Sequence, residues 1–236
     1  MRAHCQTSGV SLTAQQPYNN VARTALQAMA AVLGGTQSLH TNSLDEALSI
    51  PSESAIKIAV RTQQIILHES GVANVVDPLG GSYYVESLTT RIEEEAAALI
   101  ERIDGMGGSI AATESGYVSQ LIADSAWEQQ VKLESGESVV VGVNDFVDED
   151  ETQVIEIDRP IPGVMERQMA RLAEVKRSRD QRRCSAALRA IESAAPDLHT
   201  NLMPLIEEAV RARASVQEIS DVLRGVWGQH PPSTVF

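Results

Sequence analysis

The sequence predicts an α/β chain, with parallel βα units at its start and a mostly helical region after them. Three observations predict this. Residues 1–70 alternate short apolar runs with helical patterns, in the order strand, helix, strand, helix. The composition is 43% hydrophobic but only 3% aromatic, an aliphatic mix that suits helices and buried parallel strands. Beyond residue 71 the apolar spacing is almost entirely helical, with a single short strand-like run.

Arg2–Thr7 reads as a short strand that stops at Ser8-Gly9. Pro17 opens a helix, since its fixed φ suits a first turn and its missing N–H costs nothing there. Val21, Leu26, Met29 and Leu33 share one face of it, and Gly34-Gly35 stop it. Residues 36–42 form a second strand that runs into polar residues. Pro51 and Ser52 open the next helix, with Ile56, Val60 and Ile65 expected inward and Gly71 as the stop. Asp77-Pro-Leu-Gly-Gly81 is a turn, and a long amphipathic helix follows with Leu88, Ile92, Leu99 and Ile103, ending at Gly105. Another helix is expected over about 117–134, and Val139–Val143 reads as one isolated strand.

Residues 145–158 carry seven acidic side chains and no basic one, the pattern of a solvated loop. Residues 159–191 carry nine Arg or Lys on what reads as one amphipathic helix, with Val164, Met169, Leu172 and Val175 on its apolar face. That basic face is either a dock for an acidic partner or a solvated surface balanced by nearby acids. Two last helices carry Leu202, Leu205, Ile206 and Val210, then Ile219, Val222 and Val226, and Ser215 with Glu218 spells a capping box for the second. The expected organisation is βα units over 1–70, a helical extension with one short strand over 71–144, an acidic linker over 145–162 and a helical region over 163–236.

A formal net charge of −13 argues against a nucleic-acid backbone or an anionic membrane as partner. No signal peptide or transmembrane run is visible, and Cys5 and Cys184 offer no disulfide framework or metal spacing, so a cytoplasmic protein with reduced thiols is expected. No GxGxxG, P-loop or HExxH occurs, and the five histidines are scattered, so no metal site and no catalytic residue is assigned.

The polar residues cluster more informatively. His4, Gln6, Thr7 and Ser8 fall at the first strand, Gln37, His40, Thr41 and Asn42 along and after the second, and Asp45 and Glu46 in the next loop. In a parallel barrel these loops build the active site, here one for a large, polar, mostly uncharged ligand. Alternatively, the same groups cap helices and satisfy buried strand ends.

The runs Arg-Ala-His-Cys-Gln-Thr-Ser-Gly-Val-Ser-Leu-Thr (2–13), Pro-Tyr-Asn-Asn (17–20), Gly-Gly-Thr-Gln-Ser-Leu-His-Thr-Asn-Ser-Leu-Asp-Glu-Ala (34–47), Asp-Pro-Leu-Gly-Gly-Ser-Tyr-Tyr (77–84) and Val-Gly-Val-Asn (141–144) resemble the methylmalonyl-CoA mutase family. The resemblance implies the C-terminal part of a (β/α)8 TIM-type barrel and adenosylcobalamin-dependent radical isomerisation of an acyl-CoA, (R)-methylmalonyl-CoA to succinyl-CoA first. Isobutyryl-CoA or 2-hydroxyisobutyryl-CoA is the alternative substrate. It implies that Gln6 and Glu46 hydrogen-bond the ribose of the adenosyl group. Gly9 and Ser49 would approach the corrin, while Gln37, His40 and Asn42 would line or orient the site.

The departures are equally specific. The thioester-contacting histidine of the family lies upstream of residue 1 and is not His4. The cobalt-ligating Asp-x-His-x-x-Gly motif is absent, since Asp197-Leu-His199 lacks the glycine. Val10 stands where single-chain members carry tryptophan, and the chain stops soon after Trp227-Gly228. The expectation is therefore a large-subunit fragment, inactive alone. Its partners would be an acyl-CoA substrate, a cobalamin-binding small subunit and the N-terminal half of the barrel. A non-catalytic module completing a split barrel is the reading of another class.

Overall fold

The structure, a computed structural model, describes residues 2–148 and 161–229. The chain divides into two compact units at 159/160. In the first, strand β1 (His4–Gln6) leads through a 3-10 turn (Gly9–Ser11) into helix α1 (Asn19–Leu33), strand β2 (Ser38–His40) and helix α2 (Glu53–Glu69). The strands pair in parallel, His4 opposite Ser38, Cys5 opposite Leu39 and Gln6 opposite His40. Strand, helix, strand, helix is the order that the sequence predicts, in a mostly helical α/β chain with one small parallel sheet among the described residues.

The buried faces of the two helices are not the predicted ones. α1 buries Asn20, Thr24 and Ala28, while Leu26 is 74% exposed. α2 buries Ala55, Ala59, Thr62 and Ile66, and leaves Ile56, Val60 and Ile65 exposed. Small side chains explain the choice. Asn20 and Thr24 of α1 bond Leu44 O and Asn42 O, and Ala59 O of α2 accepts from the Thr41 hydroxyl, so these faces lie close against the loop after β2, where small and polar side chains fit. Of the larger apolar residues Ile66 is buried, whereas Leu26, Ile56, Val60 and Ile65 face outward.

After a second 3-10 turn (Val72–Asn74) comes α3 (Tyr83–Gly105), capped by Ser82, whose hydroxyl accepts from the Val85 N–H. It covers the predicted long helix, with Leu88 and Ile103 half-buried and Ile92 and Leu99 exposed. A short helix unforeseen in the sequence, α4 (Ser109–Glu114), precedes α5 (Tyr117–Glu134); six residues are too few to show a period.

The strand expected over 139–143 is instead a folded loop with one bridge, Val141 to Asp145. Gly142 sits at φ +81°, outside the strand region. The Asn144 side chain replaces a neighbouring strand, accepting from Val140 N at 2.7 Å and donating to Ser138 O at 2.7 Å and Leu133 O at 2.9 Å. Arg23 of α1 donates to Val141 O at 2.7 Å, which ties this loop to the first βα unit. Most of the acidic run 145–158 lies outside the described residues.

The second unit holds α6 (Val164–Ser178), α7 (Gln181–Ala194), α8 (Met203–Arg211) and α9 (Val216–Trp227). The single basic helix predicted over 159–191 is thus two helices. Arg179 is extended (ψ 158°), and the Asp180 carboxylate accepts from Arg183 N at 3.0 Å as the cap of α7. α7, α8 and α9 close over Cys184, Ala187, Ile191, Ala209, Ala212 and Ile219. Val210, one of the apolar residues read on α8, is exposed.

The predicted capping box is present, with Ser215 and Glu218 bonding reciprocally. Glu218 also receives two bonds from Arg179, at 2.6 and 2.7 Å, and Arg179 gives a third to Arg213 O at 3.0 Å. The Arg179 guanidinium holds the Glu218 carboxyl well below the usual carboxylate range, against the opposing effect of burial. Much of the basic face is balanced within this unit: Arg177 pairs with Glu174 and Arg183 with Glu208, both exposed pairs.

Candidate functional site

The carboxyl ends of β1 and β2 lie side by side because the pairing is parallel and in register. The ladder continues past both strands: Thr7 N donates to His40 O at 3.1 Å. The buried Thr7 hydroxyl then accepts from Asn42 N at 2.9 Å. This brings Gln6 beside Asn42, and Gln6 Nε2 donates to Asn42 Oδ1 at 3.0 Å. With its amide nitrogen so engaged, Gln6 keeps its carbonyl oxygen for another donor.

Gly9 lies against the same residues. A Cβ there would stand 3.0 Å from Asn42 Nδ2 and 3.7 Å from Glu46 Oε1. Glycine is needed for this approach, not for an unusual φ. Glu46 is exposed on the turn after β2, and its carboxylate has no bond to another described residue. Gln6, Gly9, Asn42 and Glu46 therefore converge at the carboxyl end of the sheet, where parallel α/β folds place their ligands.

Ser49 belongs to the same loop but stands apart. Its hydroxyl donates to Ile50 O at 2.9 Å and its N–H to Asp45 O at 3.1 Å. His40 ends β2 beside Gln6 and is exposed. Two residues of the predicted polar cluster lie elsewhere. His4 opens β1 and bonds Ser38 Oγ at 2.8 Å, and Gln37 accepts from Ala3 N at 2.7 Å, so both sit at the amino end of the sheet. Strand direction separates them from the site.

Two buried residues that the sequence reading left without a role hold the site together. Asn20, fully buried on α1, accepts from Thr13 N at 3.1 Å and donates to Thr13 O and Leu44 O, each at 2.9 Å. One amide thus joins the loop after β1 to the loop after β2. Asp45, also fully buried, accepts from Ser52 N at 2.8 Å, which ties the β2 loop to the start of α2. The visible signal for Asn20 was an amide on the small-residue face of an apolar helix, three and four positions from Arg23 and Thr24.

The site has an orphaned donor. Asn42 Nδ2 is buried and unpartnered, as are Ser43 Oγ and Asp45 Oδ1. Chemically, the site offers an exposed carboxylate and an amide oxygen as acceptors for hydroxyl donors, next to a glycine surface that a flat group can reach. Val10, beside Gly9, is 97% exposed and adds an apolar contact there.

The family model for methylmalonyl-CoA mutase matches residues 1–229. The 2-hydroxyisobutanoyl-CoA mutase large subunit of Aquincola tertiaricarbonis is 47% identical over 236 residues, covering 100% of this chain and 42% of that protein. The methylmalonyl-CoA mutase of Cereibacter sphaeroides is 49% identical over 232 residues, 98% of this chain and 32% of its own. The mitochondrial methylmalonyl-CoA mutase of Homo sapiens is 47% identical over 98% of this chain and 31% of its own. The chain thus spans less than half the length of these relatives. Matched from residue 1 to 229 and nearly half identical to these mutases, it belongs to the methylmalonyl-CoA mutase family.

Proposed function

We propose that this chain is the C-terminal part of the barrel subunit of an adenosylcobalamin-dependent acyl-CoA mutase, a carbon-skeleton isomerase. The observation that carries the reading is the convergence of Gln6, Gly9 and Glu46 at the carboxyl end of a parallel strand pair. In the proposed complex the Glu46 carboxylate and the Gln6 amide oxygen accept from the ribose hydroxyls, and Gly9 gives the corrin room. Ser49 is kept as a further corrin contact on the same loop. Adenosylcobalamin, when bound, supplies the radical chemistry. The chain's own residues orient the sugar and exclude water around it.

The barrel is part of the proposal. Residues 1–70 would be its last βα units, 71–144 a helical extension, 145–162 an acidic linker and 163–236 a C-terminal helical region. Two features support it. An isolated two-stranded parallel sheet is a poor structure by itself. The exposed Ile56, Val60 and Ile65 on α2 form the kind of apolar face that a further element covers. The partners would be the N-terminal half of the barrel, a cobalamin-binding small subunit and the acyl-CoA. A cytoplasmic location is the expectation; among the described residues no helix is long and apolar enough to cross a membrane.

The substrate proposed first is (R)-methylmalonyl-CoA. The relative named a large subunit, which this chain matches along its whole length, favours 2-hydroxyisobutyryl-CoA or isobutyryl-CoA as a second reading. The test is to assemble the chain with the proposed small subunit and N-terminal half, add adenosylcobalamin, and offer the three acyl-CoA esters in parallel. Isomerised product, read by mass spectrometry, is expected from one of them. An assembly that binds adenosylcobalamin and isomerises none of the three would refute the substrate reading. One that does not bind it would refute the mutase reading.

A further inference from the structure

Glu46 projects from a turn, and turns are mobile unless something pins them. Here the pin is Asp45. Its side chain is 0% exposed, and Oδ2 accepts from Ser52 N at 2.8 Å. Its backbone carbonyl accepts from Leu48 N at 2.8 Å and Ser49 N at 3.1 Å. One residue therefore closes the turn on both sides of Glu46 and fixes it to the cap of α2. The other carboxylate oxygen, Oδ1, is buried with no partner. Leaving such an oxygen unpaired is costly, and an unsatisfied buried group demands an explanation. The bond to Ser52 N accounts for Oδ2 and leaves Oδ1 without a structural reason. Costs of this kind persist where local geometry serves a site.

We propose that Asp45 is a positioning residue: it sets the direction of the Glu46 carboxylate and through it the preference of the site for a cobalamin carrying an upper-face sugar over one carrying none. The proposal rests on the ribose-binding reading above. Asp45 touches no ligand itself. Its effect passes through Glu46.

The test is a double-mutant cycle in the complete assembly with the cobalamin-binding subunit, titrated with adenosylcobalamin and, separately, hydroxocobalamin. Visible absorbance reads both. Glu46→Ala should weaken adenosylcobalamin by about tenfold, the scale of one lost charge-assisted hydrogen bond, and leave hydroxocobalamin within about twofold. Asp45→Ala should do the same, but in the Glu46→Ala background it should add less than about twofold. Asp45→Asn keeps an oxygen for Ser52 N and should stay within about threefold of the parent. If the alanine variant does not fold, Ser52→Pro takes its place in the cycle. It removes the same hydrogen bond from the other end, together with the hydroxyl cap on Ala55 N, at a φ of −68° that proline accepts.

Equal weakening of both cobalamins by Asp45→Ala, or a full additive loss on top of Glu46→Ala, would make Asp45 merely structural and overturn the proposal. A Glu46→Ala variant with unchanged adenosylcobalamin affinity would instead overturn the ribose-binding reading beneath it.

Discussion

Glu218 should be the most acid-sensitive contributor to the stability of the α7–α9 unit. It caps α9 and pairs with Arg179, whose side chain is only 4% exposed against 23% for Glu218. Glu218→Gln keeps the shape but removes the charge. Of the two bonds at 2.6 and 2.7 Å only the one to the remaining oxygen survives, because the amide NH2 cannot accept, and Arg179 keeps Arg213 O and Gln181 Oε1 as its other acceptors. Breaking a fully buried pair costs about 3–5 kcal/mol, and exposed pairs cost under about 1 kcal/mol. With one partner buried and the other partly wet, about 2–3 kcal/mol is expected at neutral pH.

The pH dependence has a definite sign. The folded carboxyl titrates below its ordinary range because Arg179 bonds its charged form. A depressed carboxyl contributes its stability above the unfolded value and loses it as pH falls toward the folded one. The gap between parent and Glu218→Gln should therefore be full at pH 7 and begin to close below about pH 4.3. Hydrogen exchange of the α7 and α9 amides in the whole chain measures it, since local opening reports local stability. A loss of 2–3 kcal/mol is roughly a 30- to 150-fold faster exchange at pH 7, by the usual tenfold per 1.4 kcal/mol. A gap that stays constant from pH 7 to pH 3, or widens on acidification, would refute the ion-pair account. The capping box alone would then carry the contact.

Asn20→Ala should cost about 3 kcal/mol, because it strands Thr13 N, Thr13 O and Leu44 O together; urea denaturation followed by exchange in 2–70 should show it, and a loss below about 1 kcal/mol would mean that the bridge between the loops is not structural. Ile191→Ala removes a side chain that is 0% exposed and should destabilise α7–α9 by about 3–4 kcal/mol, read by the same exchange experiment. Gly9→Ala places a carbon 3.0 Å from Asn42 Nδ2, so that amide must shift by a few tenths of an ångström. The expected result is under about 1.5 kcal/mol of lost stability but weaker adenosylcobalamin binding in the assembly, and unchanged binding would remove Gly9 from the site.

The positions of the elements were legible because their boundaries are written in single residues. Ser52 and Ser215 cap helices that the structure contains, Pro17 lies two residues before α1, and Gly34 and Gly71 follow helix ends. The buried faces were not legible. A hydrophobic period identifies the most apolar stripe, and here Leu26, Ile56 and Val60 make that stripe while mostly smaller residues are buried. Periodicity weighs hydrophobicity, whereas close approach to the loop after β2 selects for size and for hydrogen bonding. The same limit explains Val139–Val143. Its composition is that of a strand, but Gly142 and Asn144 settle the conformation through bonds to residues as distant as Leu133.

The site shows both sides of this. Gln6, Gly9 and Glu46 were legible as polar or small residues after short apolar runs, on a family motif, and the parallel register brings them together. His4 and Gln37 satisfied the same criterion of polarity near a strand, yet they lie at the wrong end, because three-residue strands make the two ends nearly indistinguishable in sequence. What separates the groups is the hydrogen bonding beyond the strands. Thr7, Asn20 and Asp45 are all buried, and each side chain bonds a backbone group of the other loop or of a neighbouring helix. These bonds span sequence separations that no local pattern encodes. The exposed pair proposed to meet a ligand can therefore be read from residue type, whereas the buried residues beneath it can be read only from the fold.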